Sequence, residues 1–343
     1  FIKLQKKFKL SIIEIHNRPS YINQLKNKLP GKILSLYFHN DPLSMDGSKT
    51  IEDRKKLLKN CYKIIFNSNW SKKRFLEGLE NKFVNSHKLV VFYQSAKKSS
   101  KAILYKKKNW ITFVGKLNRA KGYDIFAQTI QKILNKYPNW KAKVIGDEKR
   151  EKIILNHKNA DLLGFLNHQE VIKIFKQSSI AVVCSRWEEP FGRTSLEASA
   201  NGCAVIITNK GGLPETITNA RILRKLNQKN LEKNIKYLIE NKSERKILQK
   251  KSIENFYLTH EFITKKIDDY RDEKLQINNF FTKKNKKTLR ILHITNFNER
   301  LDGRLFFNTG RRINNGFIRQ GHSVLGFSDR DIQKYYKSFS DIK

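Results

Sequence analysis

Two glutamates, Glu189 and Glu197, lie eight residues apart in CSRWEEPFGRTSLEASANGCAVI, the stretch of the 343-residue chain densest in chemistry. An apolar run there ends in an acidic turn that opens a helix pattern. Glu189 is expected in the loop at the strand's carboxyl end and Glu197 in the first turn of the helix, so that both face one ligand over a sheet edge. Between them the amides of Phe191, Gly192 and Arg193 would leave a helix N-terminus, whose unsatisfied N–H groups seat an anion such as a diphosphate. A plainer alternative stays open: Thr194-Ser195-Leu196-Glu197 has the form of a capping box, in which Glu197 satisfies the N-cap amide and needs no ligand. A second motif, FVGKLNRAKG from Phe113 to Gly122, places Lys116 and Lys121 five residues apart after Gly115, on a loop from strand to helix. Lysines in so basic a chain are ordinarily solvated surface, so the pair gains meaning only from its context.

The elements that must position these residues show in the hydrophobic pattern. From Asn109 to about Ala220, short apolar runs alternate with amphipathic stretches, as βαβ units feeding a parallel sheet do. The expected strands are Trp110 to Val114, Ala142 to Ile145, Asp161 to Leu163, Ile180 to Cys184 and Cys203 to Ile207. Between the first two, Ile125, Phe126, Ile130, Ile133, Leu134 and Tyr137 recur at helical spacing, giving a helix one apolar face for the sheet. A doubly wound sheet gathers its ligand at the carboxyl ends of its strands, where both motifs fall.

Residues 1–105 carry the same signature less completely, with strands expected at Ser11 to Ile15, Lys32 to Phe38, Lys63 to Asn67 and Lys88 to Tyr93. Glu14-Ile15-His16-Asn17-Arg18-Pro19 sets a histidine just past the first strand, and His39-Asn40-Asp41-Pro42 follows the second. A helix or helix pair is expected over Gln228 to Tyr270, then a polar, basic linker at 276–288. Beyond it Leu289 to Thr295 reads as a strand, Arg311 to Arg319 as a helix and His322 to Phe327 as a strand. These about 55 residues cannot bury a sufficient core alone.

The run around Glu189 and Glu197 resembles the E-x7-E signature of glycosyltransferase family 4, including the W-E-E-P-F-G lead-in and the L-E-A-x-A-x-G helix. Phe113 to Gly122 resembles that family's V-G-R-L-x-x-x-K-G loop, with Lys116 in place of the more frequent arginine, which keeps the charge and loses the bidentate fork. Val144-Ile145-Gly146-Asp147 and Leu163-Gly164-Phe165-Leu166 resemble the family's glycine turn and the segment lining its base pocket, and Gly211-Gly212-Leu213-Pro214-Glu215 follows the next strand. The resemblance implies an α/β protein of GT-B architecture: two Rossmann-like domains, the N-terminal one truncated at 1–105, and a donor domain with closing helices at 106–275. It implies that Glu189 contacts hydroxyls of the transferred sugar, that Glu197 holds the nucleotide ribose, and that Lys116 and Lys121 neutralise the donor diphosphate. Gly115, Gly146, Phe165, Leu166, Phe191, Gly192 and Arg193 complete the donor site. His16 is implied close to the reacting sugar, with Asn17, Arg18 and His39 on the acceptor side. The implied activity is retaining, metal-independent transfer of a hexose from a nucleotide diphosphate sugar to a glycan or lipid-linked acceptor, without a cofactor, in the synthesis of a surface polysaccharide or lipopolysaccharide. Residues 289–343 resemble the opening of another such N-domain. A tandem second module is the expectation, and the alternative is that this piece supplies the first strands missing from residues 1–105. A sugar-nucleotide epimerase or a phosphorylase shares the fold, and a non-enzymatic basic binding protein is the rival from another class.

Composition bounds these readings. With 39% hydrophobic and 11% aromatic residues the chain can fill real cores. No window of about 18 uncharged apolar residues is present, and the first residues lack a signal peptide's apolar core. The chain begins at Phe1 and enters almost at once into an apolar run, which reads as a fragment missing its start. Cys61, Cys184 and Cys203 have no metal-type spacing, and a reducing cytosol suits them. No DxD-type metal site is expected, since Asp329-Arg330-Asp331 falls in the terminal segment. Seventy Lys and Arg against 31 Asp and Glu give a net charge of +39. Compositional bias explains it most simply; attraction to an anionic membrane surface is the alternative, placing the chain in the cytoplasm or on the inner face of a membrane. Nucleic-acid binding is disfavoured, because no zinc-finger, helix-turn-helix or RNA-binding signature accompanies the charge.

Overall fold

A computed structural model describes residues 12–278, 288–295, 297 and 309–328. They form an α/β fold with two parallel sheets of six strands each. The chain divides into two compact units, 1–92 with 264–343, and 93–263.

The second unit is built from β5 (Lys108–Val114), β6 (Lys141–Ile145), β7 (Ala160–Leu162), β8 (Ser178–Val183), β9 (Ala204–Thr208) and β10 (Ala220–Leu223), in the order β10-β9-β8-β5-β6-β7. Strand order reverses between β5 and β8, so their carboxyl ends frame the crevice where a doubly wound sheet takes its ligand. The helix Tyr123–Lys136 lies on this sheet through Phe126, Ile130, Ile133 and Leu134, the face its periodicity marks out. The four-residue edge strand β10 escaped the sequence pattern, because Ala220 to Leu223 is too short to show a period. Gln228 to Tyr270 holds three helices, Gln228–Glu240, Lys242–Glu254 and His260–Asn278. The last crosses from one unit's residues into the other's.

In the first unit, β1 (Ile12–His16), β2 (Ile33–Phe38), β3 (Lys63–Phe66) and β4 (Leu89–Val91) are joined by β11 (Arg290–Thr295) and β12 (Ser323–Ser328), in the order β12-β11-β1-β2-β3-β4. The strands after the linker therefore do not stand apart as the opening of a further module. β11 pairs in parallel with β1, Ile13 opposite Leu292 and Ile15 opposite Ile294, and both strands bury these side chains in one core with Leu34, Leu36, Phe38, Ile64 and Phe66. This is the alternative the sequence left open, and the reason is mutual: β1 has an apolar edge to cover, and a lone βαβ segment cannot bury its own face. The sequence boundary at 105/106 accordingly moves to 92/93, and the first domain gains 264–343. Asp329 and Asp331 lie outside the described residues.

Candidate donor and acceptor sites

The loop after β5 is pinned to the end of β8. Gly122 has φ +73°, and a Cβ there would lie 2.0 Å from the Cys184 carbonyl oxygen, so only glycine lets the two backbones meet. The Ala120 carbonyl accepts from the amides of Arg186 (2.9 Å) and Trp187 (3.1 Å). Asn118 Oδ1 accepts from the Lys121 amide at 3.0 Å. A bidentate ion pair from Arg186 to Asp124 (2.5 and 2.8 Å) ties the β8 exit to the first turn of the helix Tyr123–Lys136, which follows the β5 loop.

This clamp brings Lys121 Nζ into a direct ion pair with Glu189 Oε1. Glu189 is in turn held from the far side by the glycine pair after β9: the Gly212 amide donates to its carbonyl at 2.6 Å, and a Cβ on Gly211, at φ +56°, would lie 2.2 Å from that oxygen. Lys116, on the same β5 loop, is exposed. Gly115 and Gly146 sit at the neighbouring exits of β5 and β6, the Gly115 amide donating to Ile145 O at 3.0 Å.

The helix that follows runs Arg193–Ala200 with Gly192 as its N-cap and no side chain capping it. Glu197 therefore lies in the second turn, and the capping-box reading is set aside. Its carboxylate, 1% exposed, accepts at Oε1 from Arg193 Nη2 (2.6 Å) and His168 Nε2 (3.0 Å). Burial pushes its pKa up, but Arg193 and the hydrogen bond from His168 outweigh that and hold it ionised down to about 2. Phe191 is buried and stacks on Tyr93 at 5.7 Å, whose hydroxyl donates to Glu215 at 3.1 Å. Leu166 packs on the core beside Val171 and Phe175, whereas Phe165 is exposed. His168, Tyr93, Arg186 and Asp124 were not singled out in the sequence; a polar residue opening an amphipathic helix, as His168 does in NHQE, is too common a pattern to point to a partner.

In the first unit the expected acceptor-side residues do meet. His16 Nδ1 and His39 Nε2 share a hydrogen bond of 2.8 Å, and Asn17 Oδ1 accepts from the His39 amide at 2.7 Å. Asn17 adopts φ +55°, and Arg18 Nη1 donates to its carbonyl at 2.9 Å. His16 is buried, stacked on Tyr37 at 4.3 Å and meeting His293 of β11 edge-on at 4.8 Å. Burial, with His293, His39 and Arg271 nearby, holds the His16 pKa well below the usual histidine value, so the ring is neutral. Beneath it Arg271 makes a bidentate ion pair with Glu14 (3.0 and 2.7 Å), with Glu14 1% and Arg271 4% exposed.

Burial likewise depresses His293 to about 4, against the hydrogen bond its Nδ1 donates to Asn314 Oδ1, which raises it. A histidine lowered in the folded state binds its proton more readily when unfolded, so it contributes stability above about pH 6.5 that is lost as pH falls toward 4. Between pH 7 and pH 5 the fold is expected to lose about 2 kcal/mol through His293. Calorimetric melting of the parent and of His293→Gln at both values checks this; an unchanged pH slope in the variant would assign the loss elsewhere.

Residues 94–255 match the family described as glycosyl transferases group 1. Spore coat protein SA of Bacillus subtilis is 25% identical over 243 residues, covering 63% of this chain and 64% of that protein. The putative glycosyltransferase YtcC of the same organism is 24% identical over 233 residues, 60% of this chain and 57% of its own. The chain thus spans less than two thirds of either relative. Among solved structures, Anabaena Alr3699/HepE in complex with UDP superposes with a TM-score of 0.66 at 16% identity, over 79% of this chain and 80% of that one. A glycosyltransferase from Rickettsia africae gives 0.64 at 20% identity, over 79% of each chain. Likeness at such identities carries the fold, which is GT-B, while through residues 94–255 the chain is similar in sequence to the group 1 glycosyl transferases.

Proposed function

We propose that the protein is a retaining, metal-independent glycosyltransferase of family 4 that moves a hexose from a nucleotide diphosphate sugar to a glycan or lipid-linked acceptor, in the synthesis of a surface polysaccharide or lipopolysaccharide. The observation that carries the reading is the convergence at the β5/β8 reversal of the Lys121–Glu189 ion pair, a helix N-terminus and the buried Glu197 carboxylate. In the proposed roles, Lys116, Lys121 and the amides of Phe191, Gly192 and Arg193 receive the diphosphate as it departs. Preorganised cations and amides of this kind stabilise charge that develops in the transition state. Glu189 orients the sugar through its hydroxyls, Glu197 holds the ribose, Gly115 and Gly146 belong to the donor-binding turns, and Phe165 and Leu166 line the base side. His16, with Asn17, Arg18 and His39, serves the acceptor; as a neutral ring, His16 acts as a hydrogen-bonding group. The +39 charge supports peripheral attachment to anionic lipid on a cytoplasmic membrane face. Among the described residues, no helix is long and apolar enough to cross a membrane.

A thermal-shift screen against UDP-, GDP- and ADP-sugars tests this, because a ligand that binds only the folded state raises its melting temperature. UDP-sugars come first, since UDP and UDP-glucose are the ligands named for the Anabaena structures. Stabilisation by one nucleotide sugar, exceeding that by its nucleoside, is expected. Stabilisation by RNA with no response to any nucleotide sugar would support the basic binding protein instead.

A further inference from the structure

Glu197 is gripped from two separate elements. Arg193 reaches it from one turn earlier in its own helix, and His168 reaches it from the start of another, His168–Gln177. That second helix start is capped reciprocally: Asn167 Oδ1 accepts from the Glu170 amide at 3.1 Å, and the Glu170 carboxylate accepts from the Asn167 amide at 2.8 Å, a capping box. A carboxylate held ionised can only accept, so the proton of the shared bond resides on His168 Nε2, and the ring donates there whether neutral or charged. The residues just before it, Leu163 to Leu166, are those assigned to the base side. His168 therefore links the segment expected to meet the base to the carboxylate expected to meet the ribose.

We propose that His168 is a positioning residue for nucleotide recognition: it fixes the Glu197 carboxylate in the orientation that reads the ribose hydroxyls. Arg193 supplies the compensating charge, but a guanidinium one turn away on the same helix moves with the carboxylate. His168 references it to a second helix and to the base-side loop, and a bidentate or angular preference for a ligand hydroxyl needs such an external reference. The inference rests on the reading of Glu197 as the ribose contact.

The test is calorimetric titration with whichever of UDP, GDP and ADP binds the parent best, and with its 2′-deoxy and 3′-deoxy forms. In the parent, loss of the hydroxyl that Glu197 reads is expected to weaken binding about tenfold or more, the worth of one charge-assisted hydrogen bond. His168→Asn, whose amide stops short of the Nε2 position, is expected to bring the ribose and deoxyribose forms to within about twofold of each other. His168→Gln, whose amide nitrogen reaches that position, is expected to restore the preference. A purely structural role would lower all three affinities together and leave their ratio unchanged, and that result, with Glu197→Gln still abolishing the preference, would overturn the role of His168 alone. A parent indifferent to either hydroxyl would overturn it together with the ribose assignment of Glu197.

Discussion

Ending the chain at Lys287 is expected to leave the first unit unfolded while the second still folds. Removal of β11 takes Ile291, Leu292 and Ile294 out of the core, each buried in the sheet. At about 1.5 to 3 kcal/mol per buried aliphatic side chain, their loss approaches the about 5 to 15 kcal/mol that stabilises a whole domain. It also uncovers the β1 edge, where Ile12, Ile13 and Ile15 would meet water and the row of backbone N–H and C=O groups that pairs with β11 would stand open to other chains. The Glu14–Arg271 pair would lose its shelter too, since Phe317 of the terminal segment lies over the Arg271 guanidinium at 4.2 Å. The second unit draws its clusters from residues 111–248 and needs none of this. Calorimetry should therefore show the loss of one transition and the persistence of another. Nucleoside diphosphate binding should survive in the truncated chain. A truncated protein that keeps both transitions would show that β11 only decorates a sheet already stable.

Replacing Lys121 by alanine should weaken nucleoside diphosphate binding about tenfold to a hundredfold, because a charge-assisted contact in a partly buried site is worth about 1.5 to 3 kcal/mol. That lysine is paired with Glu189. A diphosphate must therefore compete with the carboxylate for it, which gives the opposite variant a distinctive signature. Glu189→Gln releases Lys121, so diphosphate affinity should hold or rise, by up to about tenfold, even as transfer is abolished. Lys121→Arg keeps the charge and should be partly tolerated. Titration of diphosphate and bare nucleoside against the three variants, with a transfer assay alongside, decides among the alternatives. Equal affinity of Lys121→Ala and the parent would return the lysine to solvated surface. A Glu189→Gln protein as weak as Lys121→Ala would mean that the glutamate serves only to hold the lysine in place.

Much of this protein was determined by local pattern. The alternation of short β-branched runs with a 3.6-residue period places β5, β6, β8 and β9 and the helix Tyr123–Lys136 to within a few residues, because strand and helix periodicities are properties of neighbours in sequence. Loops at strand ends follow from those elements, which is why Lys121 and Glu189 could be assigned to one sheet edge before any contact between them was known. Three things were decided only in the folded chain. One partner of Glu197 is an imidazole 29 residues away, chosen by how two helices pack, and no capping pattern in the sequence could exclude the local alternative. The division of labour between Lys116 and Lys121 arises because Gly122 presses its loop onto the Cys184 carbonyl, turning one lysine to Glu189 while the other stays in solvent. The place of β11 and β12 is the largest decision of all. Hydrophobic pattern says that β11 needs a neighbour but not which one, since a parallel strand pairs through backbone groups common to every residue; the uncovered edge of β1, nearly 280 residues earlier, answered it.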